Sequence, residues 1–360
     1  MRTKLLVILF FSLITAFSQN SSKYSNEFLN IGVDARSIGM ANAVVSSVND
    51  VNSTYWNPAG LLNIERDEIS LMHSNYFANI ANYNFISYAK SIDNESAIGF
   101  SLIRFAVDDI MDTTQLIDNQ GNIDFNRIEL FSAADYAFLF SYAKKNNLLN
   151  INYGLNVKII RRIIGDFASS WGFGFDLGIQ HQSKNGWKFG VMARDITTTF
   201  NNWSFDEERL NDIQDTIDGQ NQEIPEKSEL TIPKLQIGLS KDFELTNDYS
   251  LLTAFDLFIL FERTNDIISS DIASITPAIG IEFGYIDLVY LRIGAGNFQN
   301  EMQYDLTEKL SFQPNFGIGF NMNNIEINYA FTDIGNQSVA LYSNIFSLKL
   351  NLNMLSLIHI

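Results

Sequence analysis

Residues 149–159 read Leu-Asn-Ile-Asn-Tyr-Gly-Leu-Asn-Val-Lys-Ile. Every odd position is apolar: Leu149, Ile151, Tyr153, Leu155, Val157 and Ile159. Every even one is polar or glycine: Asn150, Asn152, Gly154, Asn156 and Lys158. A period of two marks a strand whose two faces meet different surroundings. Residues 171–179 repeat the pattern, with Trp171, Phe173, Phe175, Leu177 and Ile179 against Gly172, Gly174, Asp176 and Gly178. Residues 277–285, 310–320, 325–331 and 346–352 follow suit. A soluble sandwich also alternates, but its polar face meets open water and carries many charges. Here that face is mostly Gly, Asn, Ser and Gln, which suits a confined lumen.

The connections between such runs alternate in length. Short ones are expected at 93–96, 144–147, 183–186, 244–247, 285–287 and 321–324. Longer ones are expected at 107–127, 197–230, 262–274 and 297–309. Transmembrane barrels have this rhythm, with tight turns on the periplasmic side and larger loops outside. Fourteen strands are expected, beginning near Glu68, Tyr83, Ala97, Ile128, Leu149, Ser170, Gly186, Ile232, Tyr249, Ile275, Leu288, Leu310, Ile325 and Val339. The even number puts both chain ends on the short-turn side. The expected fold is all-β, a 14-stranded antiparallel transmembrane barrel spanning residues 67–353.

Composition agrees. The chain has 29 Phe, 14 Tyr and no Cys. After the leader no apolar run reaches the roughly 18 residues that a spanning helix needs. Residues 1–18 read as a signal peptide, with Arg2 and Lys4 before an apolar stretch and Ala16-Phe17-Ser18 as a small-x-small cleavage site. Export should then leave Gln19 first, and no Cys follows for lipidation. The formal net charge of −17 becomes more acidic once those two bases are removed, which argues against nucleic acid as a partner.

Residues 19–66 do not alternate and are expected to form a plug or hatch. Asp34 can cap a helix with its body at 35–48, rich in small residues that allow close approach to a wall. Tyr55-Trp56-Asn57-Pro58-Ala59-Gly60-Leu61 should then turn into a second short helix, with Pro58 and Gly60 making the bend. Arg36 and Asn57 are the polar residues expected to anchor the segment to lumen-facing groups. The alternative is a cap over the periplasmic mouth that serves stability alone.

Val33-Asp34-Ala35-Arg36-Ser37-Ile38-Gly39-Met40-Ala41-Asn42-Ala43, followed by Tyr55 to Leu61, resembles the N-terminus of the PorV/PorQ family. Ala193-Arg194-Asp195-Ile196, Ile327-Asn328-Tyr329-Ala330-Phe331 and Phe346-Ser347-Leu348 are similar to its middle and closing regions. That family comprises outer-membrane proteins of the type IX secretion system in Bacteroidota, related to FadL long-chain fatty-acid transporters. FadL-like relatives have fourteen strands and an N-terminal hatch with a similar Asn-Pro-Ala element, here Asn57, Pro58 and Ala59. The resemblance implies a secretion accessory in the Gram-negative outer membrane. Its partners would be the translocon or the C-terminal sorting domains of cargo, with surrounding lipid and lipopolysaccharide. A FadL-like transporter of fatty acids or other hydrophobic solutes, and a purely structural barrel, are the competing readings. Residues 354–360 depart from the aromatic ending usual for barrels and read as an atypical tail.

No catalytic, cofactor or metal site is expected. His73, His181 and His359 stand far apart, and neither a Gly-x-Ser-x-Gly nor a Walker loop occurs. Gly172-Phe173-Gly174 and Gly294-Ala295-Gly296 are expected to give space along a narrow wall rather than to bind phosphate. Lys158, Asp176, Arg194, Glu282 and Glu326 are expected to face the lumen and satisfy one another. The 197–230 stretch carries nine acids, Asp206, Glu207, Glu208, Asp212, Asp215, Asp218, Glu223, Glu226 and Glu229, and should be an external loop. It is either merely solvated or able to hold divalent cations or a protein partner.

Overall fold

The computed structural model describes residues 25–76, 79–117, 120–206, 227–302, 307–332 and 343–352. The signal peptide and tail expected at the two ends, and most of the acidic stretch, lie outside them.

The wall is a closed antiparallel barrel of fourteen strands. In chain order these are β1 (Asp67–Tyr76), β2 (Ala81–Asp93), β3 (Ser96–Asp112), β4 (Glu129–Asn146), β5 (Ile151–Ile164) and β6 (Ala168–Gln182). Then come β7 (Trp187–Arg194 continuing as Thr199–Phe205), β8 (Ser228–Thr231 continuing as Lys234–Glu244), β9 (Tyr249–Leu260) and β10 (Ser274–Tyr285). The last four are β11 (Val289–Met302), β12 (Glu308–Met322), β13 (Ile325–Thr332) and β14 (Ser343–Leu352). The first strand pairs with the last, Asp67 opposite Leu352 and His73 opposite Phe346, so the sheet has no free edge. In lipid that closure satisfies every backbone donor and acceptor of the wall.

Burial is inverted relative to a soluble protein. Phe173 is 48% exposed and Ile179 43%, whereas Asp176 is fully buried between them along the same strand. Lys158 and Arg292 are buried at 2%. The apolar face therefore meets lipid and the polar face lines the lumen. Tyr88, Tyr142, Tyr153, Trp187, Tyr249 and Tyr285 are exposed toward the short-turn end, where amphipathic rings suit the headgroup level.

Three expected loops are shorter than the sequence suggests. The 197–230 stretch opens and closes in wall: Thr199–Phe205 pairs with β6, and Ser228–Thr231 pairs with it in turn. The break in β7 falls where Asp195 and Thr198 adopt left-handed backbone, and the break in β8 takes in Ile232 and Pro233, the latter with no N–H to donate. β3 runs on to Asp112 through a bulge between Val107 and Ile110, and β11 to Met302 through one between Gly296 and Gln299. A bulge shifts the alternation and hides the continuation. The β4–β5 turn also takes in Leu148 and Leu149, so β5 starts at Ile151.

Inside the barrel sits the segment 25–64, almost wholly buried. Its expected long helix is a correction. The helix is five residues, Ala35–Gly39, with Asp34 accepting from the Ser37 amide as its cap. Ala41 and Asn42 then take positive φ, which an α-helix cannot contain, and the chain proceeds in turns. A short helix Ser53–Trp56 and a 3-10 turn Pro58–Asn63 lead to the wall.

Candidate functional site: the plug and the cavity above it

The plug is fixed to the wall by groups that the sequence scatters. Arg36 donates from Nε to Glu282 Oε2 at 2.8 Å and from its second guanidinium nitrogen to Oε1 at 3.0 Å, a two-point pair. Arg292 reaches the same carboxylate at 2.5 Å, and donates to Asn328 at 2.7 Å. Glu326 then meets Lys349 at 2.7 Å, and Lys349 returns to Asp50 of the plug at 2.8 Å. The chain of alternating charge thus leaves the plug at Arg36 and re-enters it at Asp50. Burial works against the Arg36 charge, but Glu282 outweighs it and holds the guanidinium above its usual pKa. Asp34 is raised instead, by burial first and by the negative charge of Asp50, although Ser347 donates to it at 2.8 Å.

Asn57 anchors the opposite side. Its amide donates to Val45 O at 3.0 Å within the plug and to Ile179 O at 3.1 Å in the wall, while its own oxygen accepts from Ala59 N at 3.2 Å. That last bond caps the turn in which Pro58 takes the first position. Gly60 does not use a left-handed conformation. A Cβ there would meet Val48 O and Ser53 Oγ, so the position demands space.

Space is also what the lumenal glycines supply. A side chain at Gly154 would lie 2.5 Å from the Pro58 carbonyl carbon and 2.6 Å from Ala59 N. Gly190 faces Ser46, Gly280 and Gly294 face Met40 and Ala41, and Gly317 faces Gly39. The wall glycines form sockets into which plug backbone fits. Gly172 and Gly174 instead make room for Asn201 and Thr199 of the neighbouring strand.

The lumenal charges pair as groups. Lys158 contacts Asp176 at 2.8 Å and Asp195 at 2.5 Å. Asp195, Arg292 and Lys349 were not among the charges expected from sequence to face the lumen. The last two carry a usable signal, a lone charge flanked by apolar neighbours in Leu291-Arg292-Ile293 and Leu348-Lys349-Leu350. Asp195 carries none, because it lies in the break of β7.

Above the plug is a cavity of roughly 810 Å³. Leu29, Tyr55 and Trp56 of the plug form one side; Arg194, Lys234 and Phe258 of the wall form another. Thr264 and Asn265, from the long β9–β10 connection, put its mouth on the outer side. The Arg194 guanidinium lies 4.4 Å from the Tyr55 ring centre and 5.8 Å from that of Trp56. Two cavities on the short-turn side, one about Ser46 and His181 and the other about Asp50 and Asn323, share no lining residue with it.

The family described as type IX secretion system protein PorV matches residues 16–190. In fold the chain is similar to the P. putida toluene transporter TodX, at 12% identity and a TM-score of 0.56, over 90% of this chain and 99% of that one. It is similar to the CymD monoaromatic hydrocarbon channel at 10% identity and 0.53, over 90% and 98%. The Ralstonia pickettii toluene transporter TbuX gives 11% and 0.50, over 89% and 99%. None of the curated proteins matches in sequence. At these identities the solved structures speak to fold, which is FadL-like.

Proposed function

We propose that this chain, whose residues 16–190 match the family described as type IX secretion system protein PorV, is an outer-membrane accessory that receives the C-terminal sorting domains of exported proteins and passes them to surface attachment. The observation that carries this reading is the anchored plug. Arg36 and Asp50 are both held in buried ion pairs to the wall, and Asn57 is hydrogen-bonded to it. Breaking such a pair in a low-dielectric interior strands a charge, at a cost of about 3–5 kcal/mol. A lumen filled in this way favours work at the outer surface over passage of solute through the barrel. The separation of the outer cavity from those on the short-turn side supports the same view.

Deleting the gene tests the proposal. Proteins with a sorting domain should accumulate, unattached, in the periplasmic fraction, and return to the surface when the gene is restored. Normal surface attachment together with slower uptake of a long-chain fatty acid would contradict it and favour the transport reading.

A further inference from the structure

We propose that the cavity about Ser46 and His181, at the short-turn mouth of the barrel, is a docking site for an acidic peptide segment of a periplasmic protein, with Lys145 and Lys184 meeting its carboxylates. It lies at the opposite end of the barrel from surface attachment and adds a partner that the secretion reading does not name.

The cavity measures roughly 420 Å³ and opens on the side of the tight turns, which is periplasmic in barrels of this kind. Its lining holds Lys145, Lys184 and Lys188 and neither Asp nor Glu. In a chain with 41 acids to 24 bases, that is a local reversal of charge. Lys188 is answered by Asp242 at 2.6 Å. Lys145 and Lys184 have no carboxylate within 4 Å among the described residues. A recess lined by one sign of charge focuses its field and draws the opposite charge in.

The recess is held in shape by bonds between plug and wall. Gln180, 7% exposed, donates to Val45 O at 3.1 Å and to Val48 O at 2.9 Å. Ser46 Oγ bonds Ser240 Oγ at 2.9 Å, and the Asn150 carbonyl accepts from His181 Nδ1 at 2.8 Å. Those groups are engaged. The side chains of Asn49, Asn150, Asn152 and Gln182 also line the cavity and bond to nothing among the described residues. Each both donates and accepts, as a peptide bond does. Val48 is the one apolar residue among those described that line it, so an acyl chain finds no match here. Lys145 stands at the end of β4 and Lys184 just past β6, with β5 between them, so their backbones are roughly 10 Å apart. Carboxylates spaced along a chain can meet both, where a single small anion meets one.

The test uses the full-length protein in non-ionic detergent. The probe is a fluorescein-labelled Gly-Asp-Glu-Asp-Glu-Gly peptide, compared with Gly-Asn-Gln-Asn-Gln-Gly, both amidated at the C-terminus. At low salt, fluorescence anisotropy should show the acidic peptide binding about tenfold more tightly, as two exposed ion pairs together would give. The preference should shrink as salt is raised. The double variant Lys145→Gln/Lys184→Gln should lose it, and Lys145→Arg/Lys184→Arg should keep it. All variants should retain the heat-modifiable mobility of the folded barrel. Bound acidic peptide should also slow trypsin cleavage after Lys184 and leave cleavage after Arg263 unchanged. Equal affinity for the two peptides, or an acid preference that survives the double Gln variant, would overturn the proposal. Displacement of the peptide by an equal concentration of inorganic phosphate would overturn it in favour of a small-anion site. Tighter binding of a soluble peptidoglycan fragment than of the acidic peptide would overturn it in favour of a cell-wall contact.

Discussion

At the scale of the residue, Glu282 is the centre of the plug's attachment. Its carboxylate, 9% exposed, serves Arg36 of the plug and Arg292 of β11 together. Glu282→Ala leaves two buried guanidinium groups short of their counter-charge, so it should destabilise the folded barrel by about 3–5 kcal/mol. Urea unfolding of protein refolded into vesicles reads this, and a loss below about 1 kcal/mol would show that the pairs carry little. Gly294→Val tests the sockets. The added side chain falls on the Met40–Ala41 peptide, and overpacking of this sort costs about 1–3 kcal/mol. Hydrogen exchange at residues 35–48 should speed up while exchange in β11 stays slow. Unchanged exchange in the plug would mean that the socket has slack. These positions were legible unequally. Glu282 stands out as a charge at an inward position of an alternating strand, and so do Lys158 and Asp176. The use made of each glycine was not legible, because a socket is defined by the backbone that enters it, and that backbone comes from a distant part of the chain.

Among the elements, the wall was far more readable than the plug. Alternation is imposed on every strand by lipid on one side and lumen on the other, so each strand announces itself locally. Where a bulge or a left-handed residue resets the phase, as at Val107–Ile110 and Asp195–Thr198, the reading stopped too early. The plug has no such periodic constraint. Its small residues satisfied helix criteria at 35–48, yet the conformation is decided by contact with the wall, and the helix ends at Gly39. Since the backbone ladder of the wall runs from strand to strand and closes on itself, Asp67 opposite Leu352, the plug should be dispensable for the wall. A chain lacking residues 32–62 should still assemble as a barrel, admit ions across planar bilayers and lose its support of secretion. An unchanged conductance with secretion intact would reduce the plug to a cap. Failure of the wall to form would make it a folding element.

Over the whole molecule, orientation follows from the loops. The long β9–β10 connection carries Arg263 with its side chain 75% exposed, whereas Lys184 lies in the short β6–β7 turn. Trypsin added to intact cells should cut after Arg263 and spare Lys184 until the outer membrane is opened. The reverse order of cleavage would invert the topology. Closure, strand number and residence in the outer membrane could be read from pattern because each is a repeated consequence of one solvent boundary. The cavity above the plug could not, since its lining gathers Leu29, Arg194, Asn265 and Asn315 from four distant stretches. What the barrel does at that outer face is most directly measured by what it holds. The intact protein, extracted from native membranes in mild detergent and purified, should carry type IX translocon components or exported proteins bearing sorting domains, identified by mass spectrometry. Recovery of the barrel with bound lipid or hydrophobic solute and neither class of protein would contradict the account.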